Sequence, residues 1–199
     1  MKKFLLALLI LPINLWGSPN NLSPSQLTTL ENGGQIITEV PIEGNPWPQF
    51  TVYQYSKANP STVAALFWDF ERDPSYIPNC ISAKTAPIGS PLEKTTTFHL
   101  KMPMFLPDEV YSSDQTINGV PHTMQSYDIK WTVTSARYIT SCTGHLSITP
   151  NGTGSLLTYH NLVNPGARIA GMLRENARTQ VAETVEAIVK ESEKIESNK

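Results

Sequence analysis

The sequence predicts an α+β domain in which an antiparallel sheet is covered on one face by a long C-terminal helix. Three observations predict it: a strand, proline stop, short helix and aromatic-proline corner packed into residues 53–80; a run of alternating strands separated by turn dipeptides; and a single long amphipathic helix at the end. In the corner, Val52, Gln54 and Ser56 alternate with Tyr53 and Tyr55 as a half-buried strand does. Asn59-Pro60-Ser61-Thr62 then supplies a helix cap and a first-turn proline. Val63, Leu66, Phe67 and Phe70 share one helical face, and Asp73-Pro74 stops that helix before Tyr76-Ile77-Pro78-Asn79 turns the chain into the next strand.

Ahead of this corner, residues 24–31 read as a short helix with Gly33-Gly34 as its stop, and residues 35–42 and 49–56 read as extended segments. Behind it, strands are expected over 80–86, 94–102, 109–117, 123–133, 138–148 and 155–163. Asn118-Gly119 and Asn151-Gly152 are dipeptides that accept positive φ at both central positions of a tight hairpin, so the middle of the chain is expected to be a meander. Tyr127, Ile129, Trp131 and Val133 alternate with Ser126, Asp128, Lys130 and Thr132, the pattern of a sheet with one covered and one wet face. The cover is the last helix, expected to begin after Asn164-Pro165-Gly166 and to run to about residue 195. Ile169, Met172, Leu173, Ala177, Val181, Val185, Ile188 and Val189 keep one stripe of it apolar.

Length and charge narrow the function classes. The chain has 199 residues, enough for one domain with room for a core and a small guest. Its 15 basic and 17 acidic residues are scattered, without the Lys/Arg cluster that nucleic-acid binding needs, so no nucleic-acid partner is expected. Lys2 and Lys3, the apolar run 4–11 and Leu15-Trp16-Gly17 read as an export signal over residues 1–17, which implies a periplasmic or secreted protein. Residues 18–34 then form a linker with the short helix, and residues 35–199 the folded domain. Cys80 and Cys142 permit one disulfide in an oxidising compartment, or are two small buried residues.

The segment 60–70, PSTVAALFWDF, followed by Tyr76-Ile77-Pro78-Asn79, resembles the helix and corner of the START-like group, the SRPBCC superfamily. That group includes lipid-transfer START domains, pollen-allergen-like carriers, polyketide cyclases and coenzyme-Q-binding proteins. The resemblance extends weakly from about residue 30 to residue 195. It implies the helix-grip fold, a curved antiparallel sheet wrapped around the C-terminal helix with two short helices after the first strand. Between sheet and helix it implies a cavity for a lipid, sterol, quinone or polyketide. Relatives are mostly cytosolic, so an export signal is a departure from the pattern.

Candidate residues for such a cavity are Phe67 and Tyr76 from the corner, Phe98 and Leu100 from one strand, and Tyr127 and Trp131 from another. His160 lies next to Tyr159 and Asn161 on the last strand, where one of these should face inward, and Met172, Asn176 and Gln180 come from the final helix. Asn176 and Gln180 flank the apolar stripe, where a buried amide requires a partner. The four histidines, His99, His122, His145 and His160, lack the close spacing of a metal site, and no metal or cofactor is expected. No activated Ser or Cys signature is present. Asp69, Glu71, Asp73 and Glu109 read as turn and surface acids. The proline-bounded segment 101–107 is either a rigid hairpin connection or a rim that makes transient contact with a membrane surface. The leading expectation is therefore a ligand carrier without covalent chemistry. The alternatives are a cyclase or dehydratase using His160, Tyr159, Asp128 or Glu109 as acid or base, and an interaction module with a solid core.

Overall fold

The computed structural model of the protein describes residues 22–102, 106–166, 171 and 173–199. The expected export signal, Met172 and the middle of the 101–107 segment lie outside the described residues. Eight strands form one fully antiparallel sheet: β1 (Gln35–Val40), β2 (Gln49–Ser56), β3 (Cys80–Ile88), β4 (Ser90–Leu100), β5 (Glu109–Ile117), β6 (Tyr127–Ser135), β7 (Ile139–Asn151) and β8 (Gly154–Pro165). Their spatial order is β1-β2-β8-β7-β6-β5-β4-β3, so between β2 and β3 the chain crosses from the strand beside one sheet edge to the opposite edge. That crossing is the helical corner, made of α2 (Pro60–Trp68) and a 3-10 turn (Phe70–Ser75). The curved sheet and the C-terminal helix α3 (Arg174–Ser197) make this the helix-grip fold.

The corner forms for the reasons its sequence implies. Asn59 caps α2 by accepting the Thr62 N–H at 3.0 Å, and Pro60 occupies the first turn, where a missing N–H costs nothing. Val63, Ala64, Leu66 and Phe67 are buried. The C-terminal end of α3 is tied to this corner: Glu196 accepts from Asn59 at 2.8 Å and from Thr62, and Glu193 accepts the Lys57 N–H at 2.7 Å. At the other end of α3, Arg174 and Arg178 reach Glu39 on edge strand β1 at 2.7 and 2.9 Å.

Three local expectations change. First, α3 is described from Arg174 rather than from just after Gly166, because β8 runs on to Pro165 and the Gly166 N–H still pairs with the Tyr138 carbonyl at 2.8 Å. Second, β2 is buried on both faces rather than one. Phe50 and Val52 enter the main core, while Tyr53 packs on the opposite face with Leu156 and with Leu30 of α1 (Pro24–Glu31).

Third, the tight β7–β8 turn is centred on Gly152-Thr153, with positive φ only at Gly152 (58°), because Asn151 is itself paired with Gly154. The β5–β6 connection is no two-residue hairpin either: Ile117 pairs with Ile129, and the residue with positive φ is His122 (70°). Cys80 and Cys142, on β3 and β7 with three strands between them in the sheet, are free thiols.

Candidate functional site

The concave face of the sheet and α3 do not fill the space between them. A cavity of about 240 Å³ remains under the N-terminal half of α3, bounded on one side by the helical corner and on another by Trp47. Its position follows from strand alternation: residues of one parity on β4 to β8 point inward, and their neighbours point to the convex face. Phe98 and Leu100 of β4, Tyr111 of β5, Trp131 and Val133 of β6, Cys142 of β7, and Tyr159 and Asn161 of β8 line the wall. Asn176, Ala177, Gln180 and Thr184 of α3 close it from above.

The wall is largely aromatic and its rings touch. Trp131 lies 5.0 Å from Tyr159 and 6.0 Å from Phe67, centroid to centroid, and Phe98 stacks on Tyr111 at 5.0 Å. Edge-on contacts from Phe70 to Phe67 (5.4 Å) and to Phe98 (5.8 Å) carry the network into the corner. A glycine makes this packing possible. Trp131 and Gly144 are cross-strand partners, and a Cβ on Gly144 would come within 1.9 Å of the indole, so the ring lies flat across that position.

Two carboxyls line the cavity, in different circumstances. Glu109 is buried and bonded at both oxygens: one accepts the Arg137 N–H at 2.8 Å and the other the Tyr138 N–H at 2.9 Å, which pins the turn into β7. Asp73 is 6% exposed and accepts one hydrogen bond, from the Tyr76 hydroxyl at 2.9 Å. Burial pushes its pKa up to about 7, the Tyr76 bond opposes that rise, and nearby Asp69 adds to it. The thiols are held protonated, Cys80 at about 11 and Cys142 at about 12, in both cases chiefly by burial. The Tyr159 and Tyr111 hydroxyls are likewise raised by burial. No activated nucleophile results.

Of the residues singled out from sequence, Phe67, Phe98, Leu100, Trp131, Tyr159, Asn176 and Gln180 stand on the cavity wall. Tyr76 reaches it only through Asp73. Tyr127 is fully buried away from it, its hydroxyl accepting the Met124 N–H at 2.9 Å. His160 follows Tyr159 on β8 and so points to the opposite face, where Nδ1 meets the Thr51 hydroxyl at 2.8 Å and the ring stacks on His145 at 5.9 Å. Asp128 meets His145 Nε2 at 2.7 Å on that same face. Of the four acid–base candidates, His160 and Asp128 therefore lie on the opposite face, while Tyr159 and Glu109 line the cavity.

Sequence reasoning missed Asp73, Tyr111, Ser113 and Gln115. For β5 the signal was available: Ile117 fixes the inward parity, and Glu109, Tyr111, Ser113 and Gln115 share it, leaving Val110 exposed outside. For Asp73, the Asp-Pro dipeptide reads as a surface turn, and nothing local shows that the corner is tucked beneath the sheet. Among the described residues, no group of three His, Cys, Asp or Glu side chains could hold a metal ion.

No family model matches the chain, and no curated protein is detectably similar in sequence. Solved structures are similar in fold. The STAR-related lipid transfer protein from Xanthomonas axonopodis superposes with a TM-score of 0.70 at 14% identity, covering 80% of this chain and 93% of that one. Human STARD10 matches with a TM-score of 0.56 at 12% identity, over 83% of this chain and 78% of its own. The Zhui aromatase/cyclase from Streptomyces sp. R1128 matches at 0.51 and 14% identity, over 73% and 93%. The sheet order, the long C-terminal helix and these superpositions together show that this chain has the helix-grip fold of those structures.

Proposed function

We propose that the protein is an exported carrier that holds a hydrophobic small molecule in the cavity between the sheet and α3. The observation that carries this reading is the cavity itself: an aromatic hollow beside a fully buried core, with amides at its helical roof. Empty apolar space forfeits contact energy, so a sequence that keeps it open gains from a guest that fills it. Apolar burial at about 25 cal/mol per Å² supplies the affinity. Asn161, Asn176 and Gln180 supply polar groups that orient the guest. The fold neighbours named for lipid transfer support the same reading by analogy of fold. The export part of the proposal rests on the composition of residues 1–17 alone.

Native mass spectrometry of protein purified from its own host tests the carrier reading. A mass above that of the polypeptide, lost on denaturation and recovered as a small apolar molecule, is expected; a clean polypeptide mass that takes up no fatty acid, sterol, quinone or amphiphilic amine overturns it. Cell fractionation with N-terminal sequencing tests export, with a mature start near Ser18 expected.

A cyclase- or dehydratase-type activity is the second reading, favoured by one observation: Asp73 presents to the cavity a carboxyl that exchanges its proton near neutral pH. Turnover of a polyketide-like substrate that disappears in Asp73→Asn while binding persists would establish it.

A further inference from the structure

The charge pattern of the cavity is one-sided. Its described lining residues include two carboxyls, Asp73 and Glu109, and no Lys, Arg or His. A guest carrying a buried carboxylate or phosphate would meet acids and no countercharge, which is among the costliest arrangements a protein interior can hold. The two carboxyls are not equivalent. Glu109 has both oxygens occupied by backbone amides, whereas Asp73 accepts only the Tyr76 hydroxyl, and no other described residue donates to it.

We propose that the cavity selects a small lipophilic cation, an alkyl or aryl amine, whose ammonium group sits against the Asp73 carboxyl and whose apolar body lies among Phe67, Phe98, Trp131 and Tyr159. This deepens the carrier reading and rests on it. An ammonium group offers what the site lacks, a positive partner and N–H donors for the open side of Asp73. The rings favour the same charge, because the negative faces of Trp, Tyr and Phe attract cations most strongly when water is excluded.

Size sharpens the assignment. A cavity of about 240 Å³ lies below the ~300 Å³ at which drug-sized pockets begin. A guest smaller than a drug-sized molecule is therefore the best match to the described walls. An ionised Asp73 is disfavoured in the empty site by burial, and an arriving cation removes that penalty, so binding and deprotonation are linked. The ionisable groups that face Asp73 are Asp69 and Tyr76 on its own corner, Cys80 on β3, Tyr111 on β5 and Tyr159 on β8. The thiol and the phenols are all raised by burial and stay neutral between pH 5 and 8, so they do not carry the linkage.

Isothermal titration calorimetry of the full chain with octylamine hydrochloride, octan-1-ol and sodium octanoate tests the proposal. At pH 8 octylammonium is expected to bind at least tenfold more tightly than octan-1-ol, with octanoate weakest. Between pH 8 and pH 5 octylammonium affinity should fall by about 100-fold, following protonation of a carboxyl with a pKa of about 7, while octan-1-ol changes little. Asp73→Asn should bring octylammonium down to the level of octan-1-ol. Tyr76→Phe, which keeps the carboxyl but removes the hydrogen bond that holds its pKa down, should keep the preference and move its pH dependence upward. If Asp73→Asn does not fold, the pH profile of the unmodified protein decides. Octan-1-ol or octanoate binding as tightly as octylammonium, or a flat pH profile, overturns the amine assignment and leaves the carrier reading standing. Failure of all three to bind overturns both.

Discussion

The two halves of α3 lie over the same sheet and do opposite things. The C-terminal half is packed solid: Val185 and Ile188 have no exposed surface, Val189 is buried, and Ser192 faces Ser56 of β2 at 3.3 Å. Their partners are the aliphatic and aromatic core of Phe50, Val52, Val63, Leu146, Ile148 and Leu157. The N-terminal half, one or two turns earlier, presents Asn176, Ala177, Gln180 and Thr184 to the cavity. The difference is one of side-chain volume and polarity at equivalent helical positions. Branched aliphatics fill the gap between helix and sheet, whereas a methyl at Ala177 cannot, and amides are poor fillers because each polar atom must find a partner. One helix thus supplies both the anchor of the fold and the roof of its hollow.

Breaking the solid half should produce the largest effect. Ile188→Ala removes a fully buried side chain from a region with no slack and should destabilise the protein by about 2–5 kcal/mol, measured by urea unfolding. In the hollow half the leading stability term is electrostatic. Asp73 has a folded pKa of about 7, above its ordinary value of 3.8, so the native state holds the proton more tightly than the unfolded chain. Its contribution is fully present below about pH 4 and is lost as pH rises through 7, a window worth a few kcal/mol. Asp73→Asn, which can still accept the Tyr76 hydrogen bond, should therefore stabilise the protein at pH 8 and flatten this part of its pH–stability curve.

Smaller effects sharpen the comparison. Gly144→Ala drives a methyl into the Trp131 indole and should cost about 1–3 kcal/mol, with a change in tryptophan fluorescence as the ring moves toward the cavity. Gln180→Leu, beside the hollow, should alter stability by less than about 1 kcal/mol by thermal melting, while the same exchange of polarity in the solid half, Val185→Gln, should be far more damaging. Equal costs at the two positions would mean that the N-terminal half is packed as tightly as the C-terminal one.

Much of the architecture is legible in the residues because it rests on local rules. The Asn59-Pro60 start of α2 is a cap and a fixed φ, the alternation in β6 is a period of two, and the α3 stripe is a period of 3.6. The cavity wall is legible only where strand parity is unambiguous. Trp131 shares a face with Tyr127 and Ile129, yet Trp131 reaches the cavity and Tyr127 ends in solid core, since parity sets the face and not the depth along it. Tyr159 and His160 are adjacent on a strand, so only one can face the hollow; the register of β8 between β2 and β7 decides for Tyr159.

The order of helices and strands, the antiparallel meander and the helix that must cover it were determined by the sequence alone, because capping, turn chemistry and hydrophobic period act within a few residues. Tertiary structure alone decided that a turn aspartate is buried and that a glycine on β7 makes room for an indole on β6. Those outcomes depend on which surfaces meet across the fold, and the free energy of a buried carboxyl or an unfilled volume is set by neighbours distant in the chain.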